Sequence, residues 1–508
     1  MELTFLQLLR DSGVHVSAGL FETMQSLERR GASEMIRQVI VVRRDDFSGA
    51  LQDGSTTRTK KSADEGLLSK TYQRLRELLG DHKGSFSVIG VPSQDWQVRL
   101  TQKAPLELTP PERLVISMAF PDTDSLNQFR EAIERANKIA RDQGKLEPVL
   151  GLGADLSLAE SGYFCPTNVD EILFGDRNAA ASLTESGVLG QHGFTGSGVN
   201  VVVIDQGFDA TKVRNFGGGL ANGTIEPGTT KRGHGLMLVR NIAATAPDAT
   251  FYDVPLLPNR ISDLPGFIST ALHVFDQLKH LIEILRETSV PLWSGPWVLV
   301  NAWSIFDRSA DVPHGDYTEN PDHPLNLLVE ATVDDGVDIV FAAGNCGQFC
   351  PDRRCGKLDI GPGYSIFGAN SHSRVLTVGA VRTDTRWMGN SSQGPGQHLL
   401  SRWKPDLCAP SYFREADDAF VGNLNEPFVG NTGSPYIAST GTSAACALAA
   451  GIVAAIRSGW DQKILPPDDL RRALNATARK TDGPGWNERL GNGIIDVRAT
   501  LPTLRAFR

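Results

Sequence analysis

The chain has 508 residues, 40% hydrophobic and 21% charged, a composition expected of a globular protein of two or three domains with at least one large core. Its 59 acidic against 50 basic residues leave a net charge of -9, which argues against nonspecific binding to nucleic acid or to an anionic membrane. No stretch approaches the roughly 18–20 uninterrupted apolar residues of a membrane span, and "MELTFLQLLRDSG" lacks a basic start followed by an apolar run, so the expected location is the cytoplasm.

Residues 1–84 read as mostly helical, with "KTYQRLRELLG" amphipathic and the turn-rich 45–66 expected to be a mobile loop. Two β-like runs, "SFSVIGV" and "ERLVISMAF", precede the helical "DSLNQFREAIERANKIARDQG", which makes 85–150 a small α+β unit. Residues 151–194 connect it to a larger domain over 195–500, and 501–508 form a tail. In that domain "GVNVVVID", "ATFYDVPLL", "WVLVNAW", "VDIVFAAGN" and "RVLTVGAV" alternate with helical patterns. Apolar strands separated by helices predict an α/β fold with a mostly parallel central sheet covered on both faces. Ligands of such sheets sit beyond the carboxyl ends of the strands, so polar residues there carry the functional question.

Four such residues stand out. Asp205 ends "VVVID", where an unpaired carboxylate would be costly to bury. His234 lies between two glycines at the start of the helical "GHGLMLVRN". Asn345 follows Gly344 at the end of "VFAAGN", and Ser443 opens the small-residue helix "GTSAACALAAG". Taken singly, each fits a turn or a helix cap. Taken together, they are the groups that acyl transfer by serine requires: a hydroxyl, a base, a carboxylate to orient the base, and an oxyanion donor.

With "VVVIDQGFD", "GHG", "AAGN" and "GTSAACALAAG" in this order, the sequence resembles the subtilisin-like serine peptidases (subtilases), supported by "APDATFYDVPLL", "SSQGP", "KPDLCAPS" and "GNGIIDVRAT". The resemblance spans roughly 195–500. It implies a subtilisin-like three-layer domain, a catalytic triad of Asp205, His234 and Ser443, and an oxyanion hole formed by Asn345 with the Ser443 N–H. It also implies a protein or peptide substrate and no cofactor for catalysis.

The chain departs from the family pattern in places. Ala447 stands where proline is usual, and "GLMLVRN" replaces the usual run after the histidine. At the edge that in relatives pairs with substrate, the aligned residues are Trp303, Ser304, Ile305 and Phe306. Trp303, Ser304, Ile305 and Gly344 are candidate substrate-binding residues, and the bulky side chains of this edge would narrow the pocket; equally, Trp303 and Phe306 read as core aromatics. Cys346, Cys350 and Cys355 crowd beside Asn345 without the paired spacing of a zinc ribbon. Three readings stand open for them: free thiols, a disulfide such as Cys350–Cys355, or a structural metal site completed by Asp352, Asp359 or His372. Cys408 and Cys446 read as small buried hydrophobes.

Residues 1–150 lie outside the resemblance and are expected to regulate the enzyme or to recognise a partner, rather than to form a cleaved propeptide. The expected function is therefore a selective serine endopeptidase controlled by its N-terminal region. The alternatives are a silent binding protein on this fold, or an esterase or peptide ligase using the same triad.

Overall fold

The computed structural model describes residues 35–47, 60–80, 84–92, 96–157, 173–223, 225–231, 233–257, 266–415 and 438–507. The readings made on residues 1–34 and 48–59 lie outside the described residues.

An eight-stranded sheet organises the molecule. Its strands are β3 (Trp96–Leu100), β6 (Asn200–Asp205), β7 (Asn215–Asn222), β8 (Thr250–Pro255), β9 (Trp297–Asn301), β10 (Val337–Ala342), β11 (Leu376–Val381) and β12 (Leu407–Pro410), in the order β12-β11-β10-β9-β6-β8-β7-β3. All neighbours are parallel except β3, which runs antiparallel to β7. One face packs on the histidine helix (His234–Ala243) and the serine helix (Gly441–Arg457). The other carries the Phe267–Arg286 and Pro324–Asp334 helices. Burial on both faces explains why these strands read as continuous apolar runs. The small residues of the serine helix also have a steric cause. A Cβ at Gly451 would lie 2.8 Å from the Ile242 carbonyl oxygen, so the two helices approach at backbone contact.

A second, four-stranded antiparallel sheet has the order β2-β4-β1-β5, from β2 (Ser87–Gly90), β4 (Arg113–Phe120), β1 (Ile36–Arg43) and β5 (Val149–Ala154). Val39 and Val41 face the core shared with the main domain, while Ile40 and Val42 face the helices Lys60–Leu79 and Thr123–Asp142. Within the stretch read as mostly helical, 1–84, this adds a strand at Ile36–Arg43 beside the helix Lys60–Leu79. The β-branched run "VIVV" is buried on both faces as a strand, an environment in which branched side chains pack well.

Other boundaries move as well. The helix beginning at Lys60 occupies the end of the predicted 45–66 loop. The small sheet draws strands from residues 36 to 154, so the divisions at 84 and 150 cut through one unit. The 151–194 connection contains the end of β5 and a helix at Arg177–Thr184. The 501–508 tail begins inside the helix Val497–Leu504, whose Leu501 and Leu504 are buried in the main core. β3 departs furthest from the sequence reading: it leaves the N-terminal unit and becomes the edge strand of the main sheet.

Candidate active site

The four polar residues converge at the carboxyl ends of the parallel strands. Asp205 ends β6 and is fully buried. His234 is the first residue of its helix, after Gly233 at a φ of 122° that favours glycine. Gly235 is equally constrained, since a Cβ there would lie 2.3 Å from the Gly207 carbonyl oxygen. This close approach brings the imidazole to the strand end. Both Asp205 oxygens face His234 Nδ1, at 2.8 and 2.9 Å, and the His234 backbone N–H donates to Gln206 Oε1 at 3.0 Å. A carboxylate facing Nδ1 keeps the proton there and leaves Nε2 as the acceptor. The His234 side chain retains 27% exposure while Asp205 has none, so the open edge of the ring faces outward.

Ser443 is the third residue of the serine helix and is buried. Its Oγ donates to the Ala302 carbonyl at 3.2 Å rather than to His234. Asn345 lies three residues past β10, beside the start of the serine helix. Its Oδ1 accepts the Thr442 backbone N–H at 3.0 Å and the Thr442 hydroxyl at 3.2 Å, while Gly344 N–H donates to Thr442 Oγ1 at 3.2 Å. A backbone N–H only donates, so the amide oxygen is fixed toward Thr442 and Nδ2 remains as a preset donor. Sequence reasoning missed this role of Thr442; its place next to Ser443 was the available signal.

The substrate-edge residues behave differently. Trp303 lies between Phe267 and Phe341, with ring centroids 5.2 and 5.3 Å away. Ile305 and Phe306 belong to the same core, so the reading of Trp303 and Ile305 as side chains narrowing a pocket gives way to the core reading. The cause is strand alternation: Trp297, Leu299 and Trp303 all face that core. Ser304 Oγ donates to the Ile305 carbonyl at 3.0 Å, and it lies 3.4 Å from where a Cβ at Gly344 would sit, so these two candidates do meet.

The cysteine cluster is oxidised. Cys346 and Cys355 form a disulfide with Cα atoms 5.7 Å apart, which corrects the Cys350–Cys355 pairing; Cys350 is disulfide-bonded as well. The metal-site reading also falls, because sulfurs in disulfides offer no thiolate and the other proposed ligands are engaged. Asp352 pairs with Arg354, Asp359 with Arg308, and His372 Nδ1 accepts the Arg374 N–H. The bridged loop packs on the segment after β9: Gly356 N–H donates to the Phe306 carbonyl, Asp359 accepts the Arg308 N–H, and Arg354 lies 3.8 Å over the Phe306 ring. Cys408 and Cys446 are buried free thiols, each pushed up in pKa by burial.

The peptidase S8 family, described as the subtilase family, matches residues 196–493, more than half of the chain. No curated protein matches the chain. Among solved structures it is similar to MycP1 from the ESX-1 type VII secretion system, at 21% identity and a TM-score of 0.46, covering 68% of this chain and 88% of that one. MycP1 from Mycobacterium smegmatis gives 21% identity and a TM-score of 0.45 over the same shares. Fervidolysin from Fervidobacterium pennivorans, a keratinolytic enzyme related to subtilisin, gives 14% identity and a TM-score of 0.48, covering 92% of this chain and 61% of that one.

Proposed function

We propose, from the premise that the chain belongs to the subtilase family and is a subtilisin-like serine endopeptidase, that Ser443 is its nucleophile, His234 its general base and Asp205 the carboxylate that orients the base. The observation that carries this reading is the Asp205 carboxylate set against His234 Nδ1 at 2.8 Å. His234 Nε2 takes the Ser443 proton as Oγ leaves the Ala302 carbonyl and attacks the scissile carbon. The oxyanion is held by Asn345 Nδ2 and the Ser443 N–H, at a helix start where the partial positive potential favours it. The imidazolium then gives its proton to the departing amine, and water resolves the acyl-enzyme by the same path reversed.

What packs on this domain supports a selective and regulated enzyme. The disulfide-bridged loop engages the backbone of Phe306 and Arg308, which restricts the edge available to substrate. The N-terminal unit shares a core with the main domain through Val39, Val41, Val115 and Leu156, an arrangement that supports a retained regulatory unit and the docking place of a regulatory partner. The disulfide also bears on location. Disulfides persist in oxidising surroundings, so the expected cytoplasmic site gives way in our reading to an oxidising compartment. No helix among the described residues is long and apolar enough to cross a membrane.

Labelling the full chain with a fluorophosphonate probe tests the reading. Wild type is expected to label and Ser443→Ala to lose the label; equal labelling of both overturns the assignment, and no labelling of a folded wild type favours the silent binding protein.

A further inference from the structure

A second carboxylate lies behind the Asp205–His234 pair. Asp253, on β8, stands opposite Val203 of β6, two residues before Asp205 and on the same alternating face of the sheet. It is fully buried in a strand whose neighbours are apolar. Oδ2 accepts two backbone N–H groups, from Gly228 at 2.7 Å and from Phe208 at 3.3 Å. Phe208 belongs to the loop that leaves Asp205, and Gly228 to the segment that leads from β7 to His234. Oδ1 is buried with no hydrogen-bond partner. The same two segments meet again above, where Gln206 Oε1 accepts the His234 N–H, and at the rim, where Lys231 pairs with Asp209.

From this geometry we infer that Asp253 is a positioning residue, a single carboxylate that ties the segment bearing Asp205 to the segment bearing His234 and so sets the two side chains against each other. The inference rests on the reading of Asp205, His234 and Ser443 as the reacting set. A neutral acceptor such as an amide oxygen would satisfy both N–H groups, so a buried acid here also has an electrostatic consequence. Burial, reinforced by the neighbouring charge of Asp205, pushes the Asp253 carboxyl up to about 7. Other charged or titratable groups on the surrounding elements include His234, the Asp209–Lys231 pair and Cys446 of the serine helix. The sequence held a signal for this residue: "TFYDVP" places a carboxylate in an apolar strand, the same anomaly that singled out Asp205.

The test compares full-length wild type, Asp253→Asn, Asp253→Ala, Asp253→Ser and Ser443→Ala by kcat and KM for a peptide substrate. Asparagine keeps an oxygen for both N–H groups without the charge, whereas alanine keeps neither. Asp253→Ala is expected to lose about 10²-fold in kcat with KM little changed, the scale at which a misplaced reacting group costs rate. Asp253→Asn is expected to keep most of the kcat and to leave KM near wild type, because its amide oxygen still accepts both N–H groups. Should Asp253→Ala fail to fold, Asp253→Ser, whose shorter hydroxyl cannot span to both N–H groups, carries the test through the same fall in kcat at little-changed KM. An asparagine variant as impaired as alanine, or an alanine or serine variant with wild-type kcat, overturns the inference. Full activity in Ser443→Ala would instead overturn the underlying reading, which keeps the two failures apart.

Discussion

His323, the residue before the Pro324–Asp334 helix, donates through Nε2 to the carbonyl of Ala154, the last residue of β5, at 3.1 Å. Its Nδ1 accepts the Leu325 N–H at 3.1 Å, so one neutral ring caps a helix of the main domain and anchors the N-terminal sheet. The fit is close: a Cβ at Gly153 would lie 2.2 Å from the His323 ring. Burial brings the imidazole down to about 3. The folded value is below the unfolded value of about 6.5, so the unfolded chain takes up the proton first as the pH falls. The stability that neutral His323 contributes is complete above about pH 6.5 and is lost on descending toward pH 3. His273, brought down to about 3, and His372, to about 4, act in the same sense. The expected outcome is that His323→Gln has a lower Tm than wild type at neutral pH and that the gap narrows on acidification. Thermal denaturation of the two proteins across that range measures it; a gap independent of pH contradicts the prediction.

The amide of Asn345 provides a second measurement. Because Oδ1 is held by Thr442, Nδ2 is oriented before substrate arrives. Asn345→Ala is expected to lower kcat by about 10²–10³ with little change in KM, as removal of an oxyanion donor does. Thr442→Val removes the hydroxyl from this arrangement but leaves the backbone N–H in place, so its loss should stay within about tenfold, roughly the worth of one hydrogen bond. Steady-state kinetics on the two variants would separate the donor from the group that aims it.

The Cys346–Cys355 bridge closes a short loop, with a sequence separation of 9. Loop-closure entropy for a ring of that size gives a stabilisation of about 2–3 kcal/mol. The double substitution Cys346→Ala, Cys355→Ala should lower the denaturant midpoint accordingly, and it should widen substrate choice by loosening the contacts to Phe306 and Arg308. A peptide-library cleavage profile unchanged in the variant would remove the loop from the specificity argument.

Strand β3 ties the N-terminal unit to the main sheet. Trp96 is buried in the core beneath the sheet, and β3 covers the edge of β7 along Asn222–Gly218. A chain beginning at residue 173 is expected to be insoluble or unfolded, because it bares that edge together with the apolar surface that meets Val39, Val41 and Leu156. Within the full chain, Trp96→Ala should cost about 3–5 kcal/mol, measured by chemical denaturation. A soluble, cooperatively folding truncated domain would show that the unit is a removable addition.

What the sequence determined by itself lies in local pattern. Continuous β-branched runs separated by helical periods specified a parallel sheet buried on both faces, and Asp205, His234, Asn345 and Ser443 were legible because each sits at a strand end or helix start marked by its immediate neighbours. A short apolar run carries no period that tells strand from helix, so "VIVV", standing outside the strand–helix alternation, was not read as a strand. Tertiary structure alone decided the partners that are distant in the chain. It joined Cys346 to Cys355, turned Trp303 into the core between Phe267 and Phe341, carried β3 across to β7, and aimed the Asn345 amide through Thr442. It also placed Asp253 beneath the loops of Asp205 and His234. The physical reason is that a strand end or cap is fixed by backbone sterics and hydrogen bonding over a few residues, whereas a disulfide, a buried ring or a shared carboxylate acquires its partner only when the packed core brings remote segments into contact.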